Sequence, residues 1–370
     1  MTRKKIAVRA IRLLLALPIV EARARAIDAE EVLWNEHSDK AVCNGMRVFS
    51  WFFSSLDRSL GRAAPWLVGL LAAASFAGWL GPWSWWLDLF SHFRVQYVLA
   101  ALVLAAFALW RRRPVIAAMA VLLLAANGAE IVRVGALAST AAAMAPGALK
   151  ILSLNLWNRN RDTGRVLDYI RREDADVVIL NEVVPHWARA LDQLGDRYPY
   201  RFDRTDCREF RLCEATILSK RPWRAAGGSA GGVGRLPLAW AAFEVDGKVL
   251  TVAGTHMLYG LTSSSARKQR VQIDDLAAFV RAHPGPLVVA GDFNATPWSA
   301  VHDRLVGETG LAPVPVGWMP TWPAWPAFFS PLAIPIDHVF HGPGVSVVEV
   351  KTGPDVGSDH LPIVARVRVR

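Results

Sequence analysis

Between residues 65 and 133 the sequence holds three apolar blocks close to the length of a membrane span, and they set the chain's environment before any motif is considered. A helix needs about 20 predominantly apolar residues to cross the hydrocarbon core of a bilayer. The first block, 65–86, carries Trp79, Trp83, Trp85 and Trp86 toward its end, as expected where indole rings settle at the lipid–water boundary. The second, 95–110, is short and is expected to borrow Phe93 and Arg94 by snorkelling. The third, 114–132, holds one acid, Glu130, near its exit. A soluble amphipathic helix would show a polar stripe, and Leu99 to Trp110 shows none. A buried helical hairpin in a soluble protein is the alternative.

Charge follows the same division. The net charge is +10 over 370 residues, yet residues 149–370 carry 26 Lys and Arg against 23 Asp and Glu. Most of the excess therefore lies in front of that region, which argues for membrane topology over a nucleic-acid-binding face. Arg111, Arg112 and Arg113 separate the second and third blocks, and Lys4, Lys5, Arg9, Arg12, Arg23 and Arg25 precede the first. Basic clusters stay cytoplasmic, so the expectation is an inner N-terminus, an inner triple-Arg turn and an outer C-terminal region, periplasmic in a bacterium. A competing reading takes Ile11 to Val20 as a cleaved signal core, which would place the triple-Arg turn outside. The expected organisation is a cytoplasmic segment 1–64, a three-helix transmembrane region 65–133, a linker 134–148 and a catalytic domain 149–370.

Three cysteines exclude a disulfide scaffold. Cys43 falls on the expected inner side, while Cys207 and Cys213 lie close together in the outer domain, where a bridge and two separate thiols are both open.

From Ala148 onward, short β-rich runs replace the long blocks. Strands are read at 151–156, 177–180, 215–218, 238–245, 249–254, 287–290, 336–340 and 363–369, with helices at 165–172, 187–194 and 266–282. Interleaved strands and helices predict a mixed sheet in an α/β domain. The Gly-rich stretch 225–234 reads as a flexible surface loop, since it lacks the spacing and the lysine of a phosphate-cradling loop.

The ends of these runs carry polar groups repeatedly: Asn155, Glu182, His256, Asp292 with Asn294, Asp337 with His338, and Asp359 with His360. A single strand-terminal Asp is more often a turn former. Repeated carboxylates, amides and imidazoles at the ends of apolar strands instead point to one shared cleft. His338 alternates to the opposite face from Asp337 and is left out of the site.

In these residues the sequence resembles the endonuclease/exonuclease/phosphatase superfamily. Leu-Asn-Leu-Trp, Asn-Glu in place of the commoner Gln-Glu, Gly-Thr-His, Gly-Asp-Phe-Asn-Ala, Ile-Asp-His and Gly-Ser-Asp-His-Leu-Pro follow in family order over about 149–370. With the N-terminal blocks, the chain looks most like a membrane-bound bacterial branch of that superfamily. The resemblance implies a four-layer α/β sandwich, two mixed sheets face to face with helices outside, and a metal-dependent phosphodiesterase or nuclease-type hydrolase. Asn155, Glu182 and Asp359 are then oxygen ligands suited to Mg²⁺ or Mn²⁺, with Glu182 the principal one. One ion or two stays open.

The same resemblance makes His360 either the general base or the group that polarises the phosphate, with Asp337 orienting it. Asp292 positions water or metal, Asn294 donates to a non-bridging oxygen, and His256 protonates the leaving oxygen or stabilises the transition state, a purely structural imidazole being the alternative; apart from the resemblance, Glu214 is a candidate carboxylate partner for it. Trp157, Trp298 and the 318–325 segment either wall the cleft or pack. Arg267, Lys268 and Arg270 read as a solvated helix face. The expected partners are the lipid bilayer and a phosphodiester, nucleic acid or phospholipid head group, with no protein partner. A non-catalytic tethered binding domain is the rival reading, although every expected catalytic position is filled.

Overall fold

The computed structural model describes residues 61–136, 148–203, 213–232, 234–314, 319–324 and 331–370. The expectations for residues 1–60, including Cys43 and the signal-core alternative, and for most of the linker lie outside these residues. Residues 63–370 form one compact unit.

The described strands form two six-stranded sheets. The first runs in the order β11 (Val345–Thr352), β12 (Ile363–Val369), β1 (Leu149–Asn155), β2 (Val177–Asn181), β4 (Thr216–Ser219) and β3 (Tyr200–Asp203). The second runs β5 (Ala225–Ala230), β6 (Pro237–Val245), β7 (Lys248–His256), β8 (Leu287–Asp292), β10 (Asp337–His341) and β9 (Ala312–Pro313). In each sheet one central pair is parallel, β1 with β2 and β7 with β8, and the other pairs are antiparallel. Both sheets are thus mixed, and helices flank them.

The layers follow from alternation of side chains along each strand. Ile151, Val177, Ile179 and Ile217 of the first sheet meet Ala241, Phe243, Val252 and Val288 of the second in a shared core. Their neighbours Leu152, Leu154, Val178 and Leu180 turn the other way, onto Val166 and Ile170 of α4 (Thr163–Glu173) and Trp187 of α5 (Pro185–Leu191). On the far side Val289 and Phe340 pack on Ile273 and Leu276 of α6 (Ser263–Ala282) and Leu305 of α7 (Ala300–Thr309). A strand buried on both faces reads as a continuous apolar run, and for that reason β2 and β8 were legible.

Residues 225–230, expected as loop, instead form the edge strand β5. Their composition reflects crowding: a Cβ on Gly227 would lie 2.9 Å from the Trp240 ring of the neighbouring strand. Strands β3, β9 and β11 and helix α7 are additional to the expected elements, β3 and β9 being short.

Ahead of the sandwich, a helix α1 covers 61–79 and stops before Gly81-Pro82, short of the end of the apolar block 65–86. A one-turn helix (Trp85–Asp88) leads into α2 (Arg94–Trp110) and α3 (Pro114–Ala136), which pair through the Arg111–Arg113 turn. Segments Trp85–Trp110 and Pro114–Val134 are long and apolar enough to cross a membrane. Arg94 does not snorkel. It turns inward, fully buried, and donates to the Ser75 carbonyl at 3.1 Å and to Asn127 Oδ1 at 2.9 Å, with its guanidinium 4.5 Å from the centre of the Trp79 ring.

The hairpin docks on the sandwich. Trp298 is buried against Val95 and Val134, which settles its packing role. Asp88 accepts from the backbone N–H of Ala300 at 2.8 Å and of Val301 at 3.3 Å, placing a carboxylate on the N-terminus of α7 where unpaired donors and the helix dipole favour it. His92 Nδ1 lies 3.0 Å from Thr296 Oγ1.

One buried group in this layer makes a pH prediction. His302 of α7 packs on His338 and Phe340, and neither of its ring nitrogens has a hydrogen-bond partner among the described residues. Burial, with His338 and Arg133 adding to it, pushes its pKa down to about 3. The folded state therefore refuses a proton that the unfolded chain accepts near pH 6.5, so this contribution to stability is present above that pH and is lost as pH falls toward 3. The loss approaches roughly 5 kcal/mol at the acid end. Thermal melts from pH 7 to pH 4 are expected to fall less steeply in His302→Phe than in the wild type, and parallel slopes would refute this account.

Candidate active site

Strand register gathers the polar ends at one edge of the sandwich. Asn155 pairs with Asn181 at the ends of parallel β1 and β2, and His256 pairs with Asp292 at the ends of parallel β7 and β8. Antiparallel β10 starts beside them, with Asp337 opposite Asp292. The two sheets present these edges to each other, so one cleft receives groups separated by up to two hundred residues of chain.

Gly291 makes the approach possible. It sits at φ 146°, and a Cβ there would lie 1.9 Å from the Thr255 carbonyl oxygen of β7. The side chain at 291 must be absent for β8 to lie beside β7 at the point where Asp292 emerges. Glu182 (φ 58°), Asn294 (φ 50°) and Trp157 (φ 57°) are held in left-handed backbone, a cost of order 1–3 kcal/mol each that a surrounding site must over-determine.

Asp292 lies at the centre, buried. Its Oδ2 accepts from Asn155 Nδ2 at 3.1 Å and lies 3.4 Å from His256 Nε2 and 3.7 Å from His360 Nε2, while Oδ1 accepts from the Asn294 N–H at 2.9 Å. Burial alone would raise its pKa, but His360 and His256 outweigh burial and hold it below the usual carboxylate range. Each imidazole has its own carboxylate behind it. His360 Nδ1 lies 2.8 Å from Asp337 Oδ2, and His256 Nδ1 lies 2.7 Å from Glu214 Oε2. Burial opposes charge on both rings. Asp337 and Asp292 nonetheless push His360 up to about 9, and Asp292 and Glu214 raise His256 well above its ordinary value. Glu214 thus stands where it was expected.

A second carboxylate region adjoins the first. Glu182 accepts from Asn155 Nδ2 at 3.1 Å and from the backbone and side chain of Asn158 at 2.9 and 2.7 Å. Burial pushes the Asp359 carboxyl above its usual range, with Glu182's charge adding to it against the pull of His360. Asp359 Oδ2 accepts from Trp322 Nε1 at 3.3 Å, while Oδ1 is buried with no hydrogen-bond partner among the described residues. Two carboxylates within electrostatic reach, one with an orphaned buried oxygen, suit an oxygen-seeking divalent cation. Asn155 belongs to this group by position, although its oxygen accepts from the Trp157 N–H and its nitrogen faces the acids.

Asp292, Asp337 and His360 also bring one ligand atom each within 4.8 Å of one another. His360 Nδ1 is already engaged by Asp337 there, whereas Asp359 Oδ1 beside Glu182 has no partner among the described residues.

His338 lies outside, its Nε2 2.6 Å from the Ala295 carbonyl oxygen. Two supporting groups, Asn158 on Glu182 and Ser358 Oγ donating to the Asn155 carbonyl at 2.6 Å, were not singled out from sequence, while the 318–325 segment supplies Thr321 Oγ1, accepting from the Asp337 N–H at 3.2 Å, and Trp322 on Asp359. Only Ser358 sat inside a recognisable motif. Asn181, the departure from Gln, donates to the Glu214 and Thr255 carbonyls at 2.7 and 3.0 Å, tying β2 to β7. Cys213 is disulfide-bonded, and its expected partner Cys207 is outside the described residues.

Residues 152–360 match the sequence pattern of the Endonuclease/Exonuclease/phosphatase family. A UPF0294 protein of Vibrio vulnificus is 32% identical over 131 residues, covering 32% of this chain and 39% of that relative, so the match spans well under half of the relative's length. A UPF0294 protein of Vibrio cholerae is 27% identical over 247 residues, covering 60% of this chain and 79% of the relative. Among solved structures, an endonuclease/exonuclease/phosphatase from Bacteroides vulgatus has a similar fold, with a TM-score of 0.52 and 17% identity over 60% of this chain and 99% of that one.

Proposed function

This chain belongs to the Endonuclease/Exonuclease/phosphatase family, and we propose that it is a metal-dependent phosphodiesterase anchored in a bacterial inner membrane, with its catalytic domain on the periplasmic face. The observation that carries the catalytic reading is the buried meeting of Asp292, Asp337 and His360 at the sheet edges, with His256 and Asn294 completing the ring.

Glu182 and Asp359, with Asn155 beside them, would hold Mg²⁺ or Mn²⁺, and the bound cation would supply charge to phosphoryl oxygens and to a departing oxygen. Asp292, ionised before attack, orients the attacking water and takes up the proton it releases. His360, oriented by Asp337, faces Asp292 as a cation and polarises the phosphoryl group. Of the two roles open for it from sequence, this one suits a ring charged by two carboxylates. His256 holds a proton between Glu214 and Asp292 and delivers it to the leaving oxygen. Asn294 donates from its amide to a non-bridging oxygen. Purified protein is expected to hydrolyse bis(p-nitrophenyl) phosphate with Mg²⁺ or Mn²⁺ and to lose that activity under EDTA. Turnover indifferent to chelation would remove the metal role, and no turnover with either ion would favour a tethered binding domain.

Three features support the anchored reading, with residues 1–64 inside, three spans over 65–133, a linker at 134–148 and the catalytic domain from 149. Two segments have the length and hydropathy of spans. The Arg111–Arg113 turn lies at the end of α2 away from the docked sandwich, roughly 25 Å along a helix of this length. The disulfide at Cys213 suits an oxidising compartment. Alkaline phosphatase fused after Arg370 should be active and green fluorescent protein dark; the reverse pattern would place the domain inside. The balanced charge of residues 149–370 speaks against a duplex-DNA groove and leaves single-stranded nucleic acid or phospholipid.

A further inference from the structure

A cavity of about 350 Å³ lies between the 81–92 loop that precedes α2 and the start of α6 and α7, and Asn294 of the active site forms part of its wall. Much of that wall is built by Trp83, Trp85, Asp88 and His92, which lie outside the residues that match the family. The cavity therefore exists only because the hairpin is docked on the sandwich.

Its polar wall is selective. Gln269 is 2% exposed, and its Nε2 has no hydrogen-bond partner among the described residues, which leaves a buried donor without an acceptor at the cavity. Such a donor costs about 1–3 kcal/mol unless something accepts from it. Next to it, Arg270 has no ion pair among the described residues. The acids of the same wall are engaged: Asp88 by the backbone of Ala300 and Val301 and by Ser91, and Asp303 by Arg133 at 3.5 Å. Arg304 is likewise held by Asp274 at 3.1 Å. Both acids already have hydrogen-bond or ion-pair partners, so the unspent groups are donors and the fitting occupant is rich in acceptors.

The rim indicates where such an occupant comes from. Trp83 is 77% exposed, and Tyr259 and Leu261, on either side of the lining residue Gly260, are also exposed. Leu332 is exposed beside Pro331, whose carbonyl accepts from Gln96 near the start of α2. An apolar and aromatic rim at the base of a hydrophobic hairpin suits the interfacial zone of a bilayer.

We propose that this cavity is a head-group subsite: it holds the hydroxyl- or phosphate-bearing head group of a membrane phosphodiester while the diester phosphate sits at Asn294. The inference rests on the phosphodiesterase reading and adds its substrate class. Gln269 and Arg270 read the head group by donating to its oxygens, and Trp83 faces the lipid surface.

The test uses the full chain reconstituted in vesicles that contain phosphatidylglycerol and phosphatidylcholine together, so that both lipids see the same surface charge and the same enzyme. Products of each are quantified separately. Phosphatidylglycerol is expected to be consumed in preference, and Arg270→Ala, on an accessible helix position, is expected to lower the ratio of the two rates about tenfold, the scale of one charge-assisted hydrogen bond. Gln269→Leu should lower it in the same direction, with thermal melts confirming that each variant is folded. Equal consumption of both lipids, or a ratio untouched in folded Arg270→Ala, overturns the subsite. Hydrolysis of bis(p-nitrophenyl) phosphate with no lipid turnover also overturns it while sparing the phosphodiesterase reading. Failure on every diester sinks that reading itself.

Discussion

Substituting His360 with alanine is expected to lower turnover of bis(p-nitrophenyl) phosphate by about 10³-fold, the scale on which removal of a preorganised charge at a reacting centre is felt. The ring is 5% exposed and held 2.8 Å from Asp337 through Nδ1, so its Nε2 has little freedom and faces Asp292. Because alanine leaves a hole in a buried site, His360→Gln serves as the companion variant, keeping most of the volume and a hydrogen bond to Asp337 but no charge. Both are expected to lose activity alike. Asp337→Asn should lose less, about 10²-fold, since it leaves the imidazole in place and removes only the carboxylate that orients and charges it. The loss should appear in kcat, because the charge matters most when phosphoryl oxygens gain negative charge. A His360→Gln protein that melts like the wild type and retains turnover within tenfold would exclude this residue from the chemistry.

The second large effect is structural. Gly291→Ala is expected to destabilise the catalytic domain by more than about 4 kcal/mol, at the upper end of what single substitutions do. The added methyl would meet the Thr255 carbonyl oxygen at 1.9 Å, and the φ of 146° is itself one that L side chains rarely adopt. Relief requires β7 and β8 to separate where His256 pairs with Asp292, so any folded remainder should have lost activity as well. Chemical denaturation would measure the first effect. A midpoint close to that of the wild type would show that the sheet yields more easily than its packing indicates. By contrast, alanine at Gly247, where nothing lies within 4 Å of an added Cβ, carries only the penalty of its positive φ of 74°.

Much of the site was legible because its chemistry sits at the ends of strands that announce themselves. Buried parallel strands such as β2 and β8 are short apolar runs, and a carboxylate at the end of such a run is visible without knowing its partners. Glu214 was harder, since it lies in no strand and its link to His256 depends on how β4 and β7 are placed. Asn158, Thr321 and Trp322 support acids of the cleft from loops whose courses no periodicity describes. The Gly-rich β5 was misread because its glycines answer to Trp240 on another strand, which local composition does not show. Arg94 was misread for a related reason: the acceptors that turn it inward, Ser75 and Asn127, belong to two other helices.

What the amino-acid order by itself determined is everything carried by period and by local chemistry: an apolar N-terminal region unlike the rest, an α/β domain after it, and a set of acids, amides and imidazoles at strand ends. What only the tertiary structure decided is which of these groups meet, and at what distance. The pairing of each imidazole with its own carboxylate, the orphaned oxygen of Asp359, and the cavity closed by a loop from outside the sandwich are all long-range contacts. A strand's pattern encodes the face it buries, whereas the partner across a cleft is set by the packing of the two sheets and the hairpin.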